Sequence, residues 1–153
     1  MPIQELLSTR RVMSAVAVPS KQSLLEKLST LLTEDDANVD AAAALRCMVE
    51  RERLGSTGIG DGVALPHGRL RGLTQAVGAF VTLEQEIDYD ALDRKPVRMA
   101  FALLVPEGAN QQHLVLLREL ATVFSNKAVR EHLSRATTPE ELYRTLTQPR
   151  AVS

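Results

Sequence analysis

The tightest constraint on this chain is the run from Arg51 to Arg69: Arg-Glu-Arg-Leu-Gly-Ser-Thr-Gly-Ile-Gly-Asp-Gly-Val-Ala-Leu-Pro-His-Gly-Arg. Half of the protein's eight glycines lie between Gly55 and Gly62, and another follows at Gly68. Glycine adopts φ > 0 freely and lets other groups approach the backbone closely. Two hydroxyls, Ser56 and Thr57, sit inside the run. Such a segment suits a cradle for an oxyanion, built from peptide N–H groups. His67 is constrained from both sides. Pro66 fixes its own φ and drives Leu65 toward an extended conformation, and Gly68 removes side-chain bulk. A lone imidazole at a stiff strand end among anion-binding groups reads as a phosphoryl acceptor.

Composition narrows what surrounds this run. With 153 residues, 44% of them hydrophobic and 24% charged, one domain spanning 1–153 is the simplest expectation, with a core over about 6–146. Aromatics make up 3% and there is no Trp, so a base-stacking surface is poorly supported. The net charge of -1 lacks the basic bias of a nucleic-acid binder. The single cysteine, Cys47, cannot close an internal disulfide, which fits the cytoplasm. The opening residues do not read as a secretory leader and no apolar run is long enough to span a bilayer, so the chain is not expected to be membrane-embedded.

Along the chain, Pro2 to Leu7 reads as a helical turn and Arg10 to Val18 as a strand stopped by Pro19. Ser20 caps a helix whose Leu24, Leu25, Leu28, Leu31 and Leu32 fall at helical spacing. Glu34, Asp35 and Asp36 form a solvated loop. Asp40 caps a second helix through Arg53, stopped by Gly55, so Arg51 on its last turn is placed to reach the glycine run. Val63 to Leu65 is a short strand ending at Pro66-His67. Ala76 to Leu83 is a strand, Glu84 to Arg94 a loop, and Val97 to Val105 a central strand covered on both faces. A long helix over Gln111 to Ser125 carries Leu114, Leu117, Ala121 and Phe124 as its apolar stripe. Lys127 to Arg135 is a shorter helix. Thr138-Pro139-Glu140-Glu141 forms a capping box ahead of a last helix with Leu142, Tyr143 and Leu146, and a polar tail starts at Gln148. The alternation favours an α/β layered domain with a mixed sheet flanked by helices.

Read alone, His113 at a helix start is a surface or capping residue, and Arg51 a helix-end cation that favours the dipole. His132 reads as surface and Cys47 as core or near-core. No His-x-x-x-His or Cys-x-x-Cys spacing is present, so no metal is expected. The glycine run lacks the Gly-Lys-Ser/Thr ending of a P-loop, and no cofactor is expected.

Three segments together resemble the IIA domain of the mannitol/fructose class of bacterial phosphotransferase systems, nearest its nitrogen-regulatory branch. They are Arg51-Glu52-Arg53, the Gly55-Ser56-Thr57-Gly58-Ile59-Gly60 loop and Ala64-Leu65-Pro66-His67-Gly68. Phe101 to Pro106 followed by Gln112-His113-Leu114 extends the likeness. The resemblance implies a mannitol-type IIA fold and a phosphoryl group carried on His67. The donor would be a histidine phosphocarrier protein of the HPr/NPr kind. His113 and Arg51 would take catalytic roles. Regulated targets such as a sensor kinase or a potassium transporter are implied for the nitrogen branch. The alternative is a sugar-specific IIA that passes the group to a IIB domain for fructose or mannitol uptake. A binding module that has lost the relay is a third reading. The chemistry asks for attack through the Nε2 of His67, with its Nδ1–H held by a backbone carbonyl or a carboxylate. Arg51 matches an oxyanion bidentately, and Ser56, Thr57 and the Gly58 N–H are candidate phosphoryl-binding donors.

Overall fold

The computed structural model describes residues 3–35 and 39–148. Pro2, Asp36 and the tail at 149–153 lie outside the described residues. In chain order come α1 (Ile3–Leu6), β1 (Val12–Val16), α2 (Lys21–Leu32), α3 (Ala41–Arg53), β2 (Gly58–Gly60), β3 (Val63–Ala64), β4 (His67–Leu70), β5 (Val77–Ile87), β6 (Val97–Pro106), α4 (Asn110–Ser125), α5 (Lys127–Arg135) and α6 (Pro139–Thr147).

The strands form one mixed sheet in the order β1-β5-β6-β3-β2, with β4 also on β6. β5 and β6 are antiparallel; β1 runs parallel to β5, and β3 and β4 run parallel to β6. The register of β3 on β6 (Ala64 opposite Ala100) carries unbroken into β4 (His67 opposite Leu103). The two are one strand line interrupted at Pro66, which has no N–H to give the ladder. Its carbonyl still accepts from the Leu103 N–H at 3.0 Å. His67 therefore opens a strand rather than closing one, and part of the glycine run is itself a strand, β2, paired antiparallel with β3.

Alternation along these strands sorts side chains into two layers. Val63, Leu65, Phe80, Met99, Phe101, Leu103 and Val105 face α4, α5 and α6, where Leu120, Phe124, Leu133, Leu142 and Leu146 complete one core. Ala64, Ala79, Val81, Ala100, Ala102 and Leu104 face α2 and α3, against Leu24, Leu28, Leu32, Ala44 and Met48. All three phenylalanines, Phe80, Phe101 and Phe124, meet in the first layer with ring centroids 5.8 to 6.3 Å apart. The same alternation puts His67 on the α4 side and Gly68 on the α3 side. A Cβ on Gly68 would collide with the Cys47 sulfur, so α3 packs this close only because the position is glycine.

Several expectations need correction. Residues Thr9–Arg11 form a 3-10 turn and not the start of β1. Arg11 is drawn aside by bonds from its guanidinium to the Leu6 and Gly78 carbonyls and the Asp35 carboxylate. β5 runs on to Ile87, because pairing with Val97 carries the exposed Glu84, Gln85 and Glu86 along in extended form. On α4 the buried face is His113, Leu116, Leu120 and Phe124, while Leu114 is 58% exposed. Spacing of three and four from Phe124 admits either face; contact with Phe80 and Phe101 selects this one. The Ser20, Asp40 and Thr138 caps are present, their side chains accepting from the N–H groups of Ser23, Ala42 and Glu141.

Candidate functional site

His67 emerges from β4 beside the carbonyl of Leu65, with Nδ1 and that oxygen 2.7 Å apart. A carbonyl only accepts, so Nδ1 carries the proton and Nε2 the lone pair. The residue is 8% exposed. Burial pulls its pKa below the ordinary value; the Leu65 carbonyl pushes the other way, Arg51 lowers it further, and Glu52 raises it. The net direction favours the neutral imidazole, with Nε2 the nitrogen left without the Leu65 carbonyl.

His113, in the first turn of α4, presents its ring edge-on to His67, centroids 5.2 Å apart at 62°. Its pKa is also lowered, by burial first and then by His67, Arg69 and Arg51. Its Nδ1 is buried and makes no hydrogen bond.

α3 ends at the site. Its last turn supplies Arg51, whose Nη1 donates to the Gly55 carbonyl at 3.0 Å. The Leu54 and Gly55 N–H groups close the helix on the Arg51 and Glu52 carbonyls, and Gly55 leaves it at φ 147°, a positive value open to glycine. Arg51, Ser56, Thr57, Gly58, Leu65 and His67 all line one open cleft of about 590 Å³. Across it stand Leu117, Arg118 and Ala121 of α4, with Ile59 and the 85% exposed Leu92 as an apolar rim. His113 meets His67 ring to ring but is not among the residues that line this cleft.

The hydroxyls are already engaged. Ser56 donates to the Tyr89 carbonyl at 3.3 Å and accepts from the Gly58 N–H at 3.1 Å. The N–H and hydroxyl of Thr57 both go to the Glu52 carboxylate. That carboxylate also takes the Tyr89 hydroxyl and the Lys21 ammonium, each at 2.9 Å. Sequence reasoning missed Glu52, Tyr89 and Lys21. Glu52 hides in a charged Arg-Glu-Arg run. Tyr89 lies in a stretch read as loop, although Ile87, Tyr89 and Ala91 are buried in turn with Asp88 and Asp90 exposed between them, a legible period of two.

A mixed sheet between two helical layers presents an imidazole, its Nδ1 against a backbone carbonyl, in an open cleft that a helix-end guanidinium also lines: an α/β domain with a histidine-centred cleft. Comparison makes this specific. The family described as "Phosphoenolpyruvate-dependent sugar phosphotransferase system, EIIA 2" matches residues 5–148, and the chain belongs to that family. The chain is 40% identical over 141 residues to a "Nitrogen regulatory protein" of Pseudomonas aeruginosa, covering 92% of each. It resembles the crystal structure of "Nitrogen Regulatory Protein IIA-Ntr" from Neisseria meningitidis with a TM-score of 0.88 and 42% identity, over 95% of this chain and 99% of that one. The mannitol IIA of Escherichia coli shares the fold at 17% identity, with a TM-score of 0.77 over 92% of this chain and 98% of that one. Among the described residues no helix is long and apolar enough to cross a membrane.

Proposed function

We propose that this protein is a phosphocarrier of the phosphotransferase system that accepts a phosphoryl group on Nε2 of His67 from an HPr/NPr-like histidine phosphocarrier protein. Its phosphorylation state then regulates nitrogen- or potassium-related target proteins such as a sensor kinase or a transporter. The observation that carries the reading is the 2.7 Å contact between His67 Nδ1 and the Leu65 carbonyl, which leaves Nε2 as the free nucleophile. The regulatory branch is supported by relatives of matching length that are named nitrogen regulatory proteins.

In the transfer step the Nε2 lone pair forms a new N–P bond while the donor's N–P bond breaks. Its electron pair returns to the donor imidazole, and each ring keeps the proton on its other nitrogen. Charge develops on three equatorial oxygens, so acceleration comes from positioning and electrostatics. Arg51 supplies a permanent cation with donors beyond the one bound to Gly55, and His113 supplies a second ring at the reacting imidazole. Ser56, Thr57 and Gly58 form the wall that receives the phosphoryl oxygens. Ser56 and Gly58 engage them by exchanging their mutual hydrogen bond for bonds to the anion. The added charge, about 1.5 to 2 units negative for familiar phosphate esters at pH 7, turns the apolar rim of the cleft into an anionic face that partners can distinguish.

The test is intact-protein mass spectrometry at neutral pH, with phosphoenolpyruvate, the system's first enzyme and its histidine phosphocarrier. One acid-labile phosphoryl adduct is expected, absent in His67→Ala. Labelling that persists in a folded His67→Ala protein overturns the site. His113→Ala is expected to slow labelling without abolishing it.

A further inference from the structure

Beneath the Ser56–Gly58 wall lies a buried polar cluster that the transfer chemistry above does not use. Glu52, the chain neighbour of Arg51, exposes 6% of its side chain. Its carboxylate is met by four donors from three other segments: the Thr57 N–H at 3.2 Å, the Thr57 hydroxyl, the Tyr89 hydroxyl at 2.9 Å and the Lys21 ammonium at 2.9 Å. Lys21 also stands 4.5 Å from the centroid of the Tyr89 ring. Tyr89 is fully buried, and its carbonyl holds the Ser56 hydroxyl. Ionised, a carboxylate has only acceptors to offer, so four converging donors fit the anion and no neutral substitute. Burial, and then the negative charge of Glu52, push the Tyr89 pKa upward, which keeps its hydroxyl a donor at any physiological pH.

Two properties follow. The cleft wall cannot shift relative to α3 without breaking charge-assisted bonds, since both polar hydrogens of Thr57 go to Glu52. The ammonium of Lys21 also compensates the carboxylate, which would otherwise stand as an unpaired anion close to an arriving phosphoryl group.

We propose that Glu52 is the positioning residue of the phosphoryl site, holding the Ser56–Gly58 wall in register with His67 while Arg51 beside it faces the cleft. This rests on His67 as the acceptor. The experiment measures single-turnover phosphorylation against the concentration of phosphorylated histidine phosphocarrier. It compares wild type, Glu52→Gln, Tyr89→Phe and Lys21→Met, with folding checked by thermal unfolding and amide spectra. Glu52→Gln turns an N–H toward donors. It is expected to lower the saturating rate roughly ten- to hundredfold, the scale of a small misplacement at a reacting centre. The half-saturating donor concentration should stay within about twofold, because the rim that meets the donor is untouched. Tyr89→Phe removes one of the four bonds to Glu52, together with the 3.1 Å contact between the Tyr89 and Thr57 hydroxyls, but leaves the carboxylate and its other donors, and should lower the saturating rate by less. A folded Glu52→Gln protein with the wild-type saturating rate, or one whose loss lies wholly in the half-saturating concentration, overturns the proposal. If Glu52→Gln does not fold, the other two variants decide: a lowered saturating rate in both supports it, and wild-type rates in both overturn it. A wild-type protein that takes no phosphoryl group removes the acceptor reading itself, and this proposal with it.

Discussion

Burial lowers the pKa of both His67 and His113, and this has a consequence for stability. Below the ordinary histidine pKa of about 6.5 the unfolded chain binds protons that the folded chain refuses. The stability these two sites contribute is complete above that pH and falls as pH drops from about 6.5 toward their lowered folded values. Urea midpoints at pH 7.5, 6.5 and 5.5 should therefore decline, and the decline should flatten in a His67→Ala, His113→Ala double variant. A midpoint constant over this range in wild type would contradict the burial argument. Gly68 gives a second residue-scale outcome. Gly68→Ala forces a methyl into the Cys47 sulfur and should cost roughly 1–3 kcal/mol by overpacking. Cys47→Ala in the same chain should recover most of it, because the Cys47 backbone then lies at 3.3 Å and has only tenths of an ångström to give. Urea unfolding of the two single variants and the double checks the coupling. That Arg51, Ser56, Thr57, Gly58 and His67 gather in one cleft was legible because all fall within one short glycine-rich run of sequence. Glu52 was not, since a buried anion and a solvated helix-end charge look alike until partners from Lys21, Thr57 and Tyr89 arrive.

At the level of elements, helix phase is the quantity that sequence alone left open. α2 was unambiguous: five leucines at helical spacing admit a single face, and all five are buried. α4 carries apolar residues on much of its circumference, and its inward face was set by the aromatic pair Phe80 and Phe101 waiting across the sheet. Leu120→Ala should accordingly cost about 2–5 kcal/mol. Leu114→Ala, at a position that is mostly exposed, should stay within about 0.5 kcal/mol. Chemical unfolding of the two variants side by side distinguishes this face from the one that includes Leu114. β5 was read short because Glu84, Gln85 and Glu86 are polar. Strand continuation there is decided by the hairpin partner, since Ile87 pairs with Val97 beyond a break in register. The tertiary contact overrides the local pattern.

In the molecule as a whole, His67 and the Ser56–Gly58 wall of its cleft hang from different parts of one sheet. β6 is bonded on both sides, to β5 and to the β3–β4 line, and the Leu103 N–H given to the Pro66 carbonyl ties His67's strand to that centre. Among the described residues β2 pairs only with β3, and the glycine segment is tied to the next strand by the Leu65 N–H, given to the Thr57 carbonyl at 2.9 Å. Local opening of the edge can therefore expose the Leu65 amide while Leu103 waits for global unfolding. Native-state hydrogen exchange should show the Leu65 amide exchanging at least about a hundredfold faster than that of Leu103, a gap within the range between local and global opening. Glu52→Gln should widen the gap by speeding Leu65 alone, because the carboxylate braces Thr57 from beneath. Equal rates in wild type would mean that wall and histidine form one cooperative unit. The wall's exchange of internal hydrogen bonds for phosphoryl oxygens would then have to take place without any independent opening of the edge.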